Sequence, residues 1–183
     1  MSCFAAVPVL VLLLTGCGSY SFEQKELTEA IGVSKSVIDK LEIQPDDNGD
    51  TGSELLEQAK NMGGGFDFYT YWFENGNGYD IVGINFASGK VCTASLASFE
   101  TEKSEYTVLG IRTGDSREKA VSAAEAYFGE KGTALSDDVG MWALTSKTSD
   151  MITYGNSGHK KGTLFIYIDV ESDSVYKIEY SKF

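Results

Sequence analysis

The chain has 183 residues, 27 of them acidic and 15 basic, for a formal net charge of −12. Aromatic residues make up 12% of it and only two prolines occur, so the bulk has the composition of a folded domain rather than of a disordered segment. Such an acidic domain is excluded as a nucleic-acid binder, which needs basic patches to displace counterions, and the length supplies a core that needs neither metal nor disulfide.

No residue before Cys17 carries a charged side chain, and Phe4 to Leu14 form an unbroken apolar run. A membrane-spanning helix needs about 20 such residues, more than this run supplies. The run instead has the length of a signal-peptide core, about 7–15 residues. It ends in Leu14-Thr15-Gly16-Cys17. This sequence resembles the lipobox of bacterial lipoproteins, with a large aliphatic residue three before the cysteine and small residues at the cut. The resemblance implies that residues 1–16 are removed and that Cys17 receives a diacylglyceryl thioether. The protein is then expected on the extracytoplasmic face of the cell membrane, held by its lipid. One acyl chain binds a membrane marginally and two bind it stably, so the anchor would be a lasting one. Residues 17–24, with Gly18, Ser19 and Ser21, read as a short tether.

Beyond the tether, Gly32 to Leu41 reads as a glycine, a capping residue and an amphipathic helix start. The acidic stretch from Asp46 to Glu57 follows. Asp46, Asn48 and Asp50 stand at positions one, three and five of a calcium-loop spacing, and Glu57 stands at twelve, where a bidentate carboxylate belongs. Thr51 takes the position usually held by glycine, so an acidic loop between two helices is the competing reading. Gly63-Gly64-Gly65 then marks a turn.

Strand-like runs come next: Phe66–Phe73, Tyr79–Phe86 and Val91–Ser98. Asn75-Gly76-Asn77-Gly78 joins the first two as a hairpin, and Ser88-Gly89 marks the next turn. Aromatic side chains occupy both faces of the first run. A second helix is expected from Asp115, read as its N-cap with Glu118 completing a capping box, to a stop at Gly129. Strands Val139–Thr145, Met151–Tyr154, Thr163–Val170 and Val175–Ser181 complete the chain. In the third of these, Leu164, Ile166, Ile168 and Val170 share one face, and Phe165 and Tyr167 lie on the other.

Gly32–Leu41 corresponds to Gly114–Ala123, and at the same offset Val82–Phe86 corresponds to Leu164–Ile168. The segment Tyr106-Thr-Val-Leu-Gly110-Ile-Arg-Thr-Gly114-Asp-Ser-Arg-Glu-Lys-Ala120 resembles the entry to a repeat of the β-lactamase-inhibitor-protein-like fold. That fold also occurs in small outer-membrane assembly lipoproteins and in lipoproteins of Gram-positive bacteria. The resemblance implies an α+β fold of two tandem repeats, each a helical segment packed on an antiparallel sheet. Residues 25–183 would then form one domain of repeats at about 25–100 and 104–183. It also implies a concave sheet that grips another exported protein, as the inhibitor grips an enzyme. The inhibitor's own contact residues do not carry over, because no local motif aligns around them. The sheet aromatics on offer here are Tyr69, Tyr71, Trp72, Trp142, Phe165 and Tyr167.

Catalytic chemistry finds no constellation in the sequence. The single histidine, His159, lies in a polar loop, and no glycine-rich phosphate loop follows a strand. The expectation is a non-catalytic protein-binding lipoprotein without a cofactor. The alternative is an extracytoplasmic lipoprotein that binds a small molecule or Ca²⁺.

Overall fold

Alternating strands and tight turns fold back on one another because each exposed row of backbone amides must find a partner. A computed structural model describes residues 20–42, 67–135, 149–156 and 158–183. Among these, seven strands form a single antiparallel sheet: β1 Asp67–Asn75, β2 Gly78–Ala87, β3 Lys90–Phe99, β4 Thr133–Leu135, β5 Ser149–Gly155, β6 Thr163–Asp169 and β7 Ser174–Ser181. Their order is β1-β2-β3-β7-β6-β5-β4. Cys17, Gly63–Gly65, Trp142, the run Val139–Thr145 and the calcium-like residues Asp46, Asn48, Asp50 and Glu57 lie outside the described residues.

This architecture overturns the expectation of two tandem repeats, each a helical segment packed on an antiparallel sheet. The protein is mainly β, and β3 pairs directly with β7 from Thr93↔Ser181 to Ala97↔Lys177, which merges all strands into one sheet. The described residues contain one helix of length, α2 at Arg117–Phe128. The expected first helix is reduced to a single turn, α1 at Lys35–Ile38. Two causes act there. Ser36, Val37 and Ile38 are modest helix formers. The backbone leading into the turn is also bonded to the β2–β3 turn: Lys35 donates to Gly89 O at 2.8 Å, and Val91 donates to Val33 O at 2.9 Å.

The same backbone bonds recur farther along. Arg117 N donates to Asp173 O at 3.0 Å and Val175 N to Asp115 O at 2.8 Å. Each segment that leads into a helix is thus clamped to the turn of a hairpin.

Turn chemistry decides the hairpins. Ser88 (φ 51°) and Gly89 (φ 74°) form a two-residue loop between the paired Ala87 and Lys90, with the doubly positive φ that suits the strand twist. In the first hairpin the loop is Gly76-Asn77 between the paired Asn75 and Gly78, with Gly76 at φ 64°.

One row of side chains crosses the whole sheet: Tyr71, Val82, Leu96, Ile178, Ile166, Ile152 and Ala134. The first six are buried. Above this face lie the N-terminal segment, the stretch through Tyr106, Val108 and Ile111, and Ala120, Ala124 and Phe128 of α2. Tyr20 and Phe22, at the end of the stretch read as a tether, are core residues, and Phe22 meets Tyr71 with ring centroids 4.6 Å apart. Leu164, Ile166 and Ile168 point into this core, as their alternation predicts, whereas Val170 is exposed in the turn.

Helix α2 begins one residue later than expected. Ser116 is the N-cap, and its hydroxyl accepts from Lys119 N at 3.4 Å, so Glu118 completes no capping box. Gly129, at φ 77°, ends the helix as predicted. Asp115 is released for another task. Its carboxylate is buried, accepts from Arg112 N at 3.2 Å, and meets Lys119 Nζ at 2.8 Å and Lys103 Nζ at 3.0 Å. Burial pushes its pKa up, but the two lysines and the Arg112 amide outweigh that and hold it below the usual carboxylate range.

A depressed pKa in the folded state contributes stability above the unfolded value, and that contribution is lost as pH falls through the folded value. Asp115→Asn is therefore expected to lose about 1–3 kcal/mol at neutral pH, the worth of charge-assisted hydrogen bonds. Urea titrations of the two proteins should converge once the pH has fallen through the lowered folded-state value of Asp115, where the wild-type carboxyl is itself protonated. A deficit that stays constant down to that pH would show that Asp115 acts by packing instead.

Candidate binding surface

Successive strand residues face opposite sides of a sheet, so β1 presents two aromatic rows with different fates. Tyr69, Tyr71 and Phe73 point toward the core. Tyr71 is 1% exposed and packs among Phe22, Tyr69 and Phe73. It is a core residue, which removes it from the set of partner-binding aromatics that the sequence put forward. Burial raises its phenol pKa far above the ordinary value.

Tyr69 is half-buried and already engaged. Its hydroxyl donates to Asp39 Oδ1 at 2.7 Å and receives Lys35 Nζ, whose ammonium also sits 4.7 Å from the ring centroid. The hydrogen bonds to Tyr69 and Asp39 raise the lysine pKa, so Lys35 stays a cation that fastens the α1 turn to β1.

The other row of β1, Phe68, Thr70, Trp72 and Glu74, faces away from the core. Here four of the six exposed large apolar side chains among the described residues gather: Phe68 (36% exposed), Trp72 (43%), Tyr79 (39%) and Phe99 (48%). Register explains the cluster. Tyr79 pairs with Phe99 across β2–β3, and Trp72 pairs with Ile81 across β1–β2. Trp72 and Tyr79 meet edge to face at 5.7 Å and 71°. Phe68 lies over Gly83, where a Cβ would come within 3.1 Å of its ring. A Cβ at position 83 would first meet Ser95 Oγ and would also press on that ring, so the glycine leaves room for both. Glu74, Glu100 and Glu102 stand exposed at its margin.

Phe165 and Tyr167 lie on this same outer face, on β6, and both are half-buried. Tyr167 packs against Tyr176 at 6.1 Å and carries Lys177 Nζ at 4.9 Å from its centroid. Burial, aided by Glu179 and Tyr176, pushes its pKa up to about 12. Lys177 also reaches Glu179 at 3.6 Å. This charged pair on the central strand β7 separates the β6 aromatics from the β1–β3 cluster. The structure therefore brings Trp72 together with three residues that the sequence reading missed, Phe68, Tyr79 and Phe99. The i, i+2, i+4 spacing of Phe68, Thr70 and Trp72 was a usable signal. The joining of Tyr79 to Phe99 depended on register alone.

A groove of about 350 Å³ opens at the end of the sheet where β3 meets β7, beside Ser98, Glu102, Thr113, Asp169 and Tyr176. Beneath it, buried Asp80 accepts from Ser98 Oγ at 3.0 Å, Asn75 Nδ2 at 3.1 Å and Glu105 N at 3.0 Å. Asp80 thus ties the first hairpin to the loop after β3. Cys92 is buried, free of disulfide, and its thiol pKa is raised by burial, so it has the character of a core residue rather than a nucleophile. His159 is occupied locally, accepting from Lys161 N through Nδ1 at 3.1 Å. Among the described residues no group of three or more His, Cys, Asp or Glu could hold a metal ion, and no helix is long and apolar enough to cross a membrane.

No protein-family model matches the chain. No curated protein matches it either. Among solved structures the chain is similar to a cysteine-rich secretory protein from Staphylococcus aureus, at 10% sequence identity and a TM-score of 0.42. The match covers 86% of this chain and 44% of that one, so the chain spans less than half of that protein's length.

Proposed function

We propose that this protein is a lipid-anchored, extracytoplasmic lipoprotein that binds another exported protein, without catalysis, through the outer face of its sheet. The observation that carries the reading is the cluster of Phe68, Trp72, Tyr79 and Phe99, four exposed aromatic rings on one sheet face with acidic residues at the margin. Aromatic rings bury large area at small entropic cost and dominate protein–protein hot spots. The acidic margin and the net charge of −12 favour a partner with a basic rim, because complementary fields steer association. The resemblance of the Tyr106–Ala120 segment to inhibitor-like binding modules supports the same reading.

The experiment is capture from native membranes by the lipidated protein, followed by substitution of the patch. Trp72→Ala and Phe99→Ala should each weaken capture by roughly 30-fold, the cost of losing a hot-spot residue worth about 2 kcal/mol. Their exposure predicts melting temperatures close to wild type. If both variants capture the partner as well as the parent chain does, the patch is not the binding surface.

The anchor is tested separately. Metabolic labelling with a fatty acid should mark the protein and should vanish in Cys17→Ala; labelling that persists in that variant would remove Cys17 as the lipid site. A second reading, Ca²⁺ binding by the 46–57 segment, rests on the spacing of Asp46, Asn48, Asp50 and Glu57. Calorimetry should then show heat with Ca²⁺ that Asp50→Ala abolishes. Absence of heat in the parent chain would end that reading.

A further inference from the structure

Among the described residues the sheet has two outer strands, and they differ in how they are protected. β4 is three residues long, and a short edge offers little to a foreign strand. β1 is nine residues long, Asp67–Asn75, and contains no proline, no lysine or arginine and no register shift against β2. These are the features by which natural edges repel added strands. Among the described residues nothing pairs with the far side of β1.

The free backbone groups of β1 can be assigned. Asn75 and Gly78 flank a two-residue loop, so they form a hydrogen-bonded pair. Antiparallel pairs alternate, so Phe73, Tyr71, Tyr69 and Asp67 also bond to β2. The amides and carbonyls of Phe68, Thr70, Trp72 and Glu74 therefore point away from the sheet. A second β1 laid antiparallel with Tyr71 opposite Tyr71 would use all of them. Thr70 then faces Trp72 and Phe68 faces Glu74, twice each, and every pair exchanges two hydrogen bonds. Shifting the register by two residues leaves one of the four groups on each strand without a partner from β1.

Charge is compatible with the same register. β1 carries two carboxylates, Asp67 and Glu74. With Tyr71 at the centre, Asp67 faces Asn75 and Glu74 faces Phe68, so no carboxylate meets another. On the core side Tyr69 faces Phe73, an aromatic pair of the kind that stabilises neighbouring strands.

From this self-complementarity we infer that the protein forms a two-fold dimer through β1, in which two seven-stranded sheets continue into one another. The surface is isologous, as a closed dimer requires. It places two outer aromatic clusters side by side about the axis. Opposing it is the repulsion of two chains of charge −12 each, which added salt screens.

Sedimentation equilibrium of the full chain in a mild detergent tests the inference. The expected result is a species of twice the protomer mass, whose dissociation constant falls as salt is raised. Thr70→Pro removes an outward amide and leaves the bonds to β2 intact, so it should yield a folded monomer. Phe68→Glu sets like charges opposite Glu74 at both ends and should weaken the dimer roughly five-fold or more, and adding Glu74→Lys should restore it. This rescue does not depend on the proline variant folding. A monomer at all concentrations and salts, a larger oligomer, or a dimer indifferent to the 68/74 exchange would each overturn the inference. A monomer whose β1 amides gain protection from hydrogen exchange only when another exported protein is added would assign the edge to that protein instead, and would overturn it equally.

Discussion

Pairing of β3 with β7 is the contact on which the rest of the molecule rests. Without it, β1–β2–β3 and β4–β7 would be two meanders, each with an open long edge. With it, five residue pairs turn two edges into the centre of one sheet, and the buried row from Tyr71 to Ile152 becomes continuous. That continuity lets one layer serve both sides. Phe22 and Tyr106 cover the β1 side, Phe128 covers the side nearer Tyr154, and no border separates them. The two faces of the sheet then acquire separate roles. The inner one is closed by aliphatic and aromatic packing. The outer one keeps its rings at the surface.

Polar anchors set the covering layer in place. Asp115 gathers two lysines and a backbone amide where the loop after β3 becomes α2. Asp80 gathers a serine, an asparagine and an amide one strand away. Glu26 accepts from the Leu109 and Gly110 amides, both at 3.0 Å, and so joins the N-terminal segment to the stretch before α2. Each carboxylate satisfies donors that would otherwise be left unpaired as the apolar layer closes over them. A strongly acidic composition is thus put partly to structural use.

Local features were legible in the sequence to the extent that their causes are local. The bounds of six of the seven described strands, to within two residues, the Ser88-Gly89 turn and the end of α2 at Gly129 follow from alternation and from positive φ, whereas the short β4 was not expected. Ser116 rather than Asp115 caps α2 because Asp115 has better partners in Lys103, on the loop after β3, and Lys119, and no local pattern announces that competition. The same limit hid the single sheet: Leu96 and Ile178 meet although α2 and three strands separate them along the chain. It also hid which β1 rings were free. Alternation separates Tyr71 from Trp72, but Phe22, read as part of a tether, and Tyr106 decide that the Tyr71 side is the covered one. The surface patch was therefore half visible, with Trp72 found and its neighbours Tyr79 and Phe99 left to the register.

The position of β7 has a consequence for how the chain comes into being. Among the described strands it is the last in sequence and a central one in space. A chain that emerges from its amino end completes β3 roughly 75 residues before β7 begins, a delay of about 4–15 s at ordinary rates of synthesis. A first meander formed in that interval would leave the β3 edge bare. Until the closing strand arrives, the molecule has an unsatisfied interior seam, and the time of greatest risk of mispairing falls before the sheet has acquired its centre.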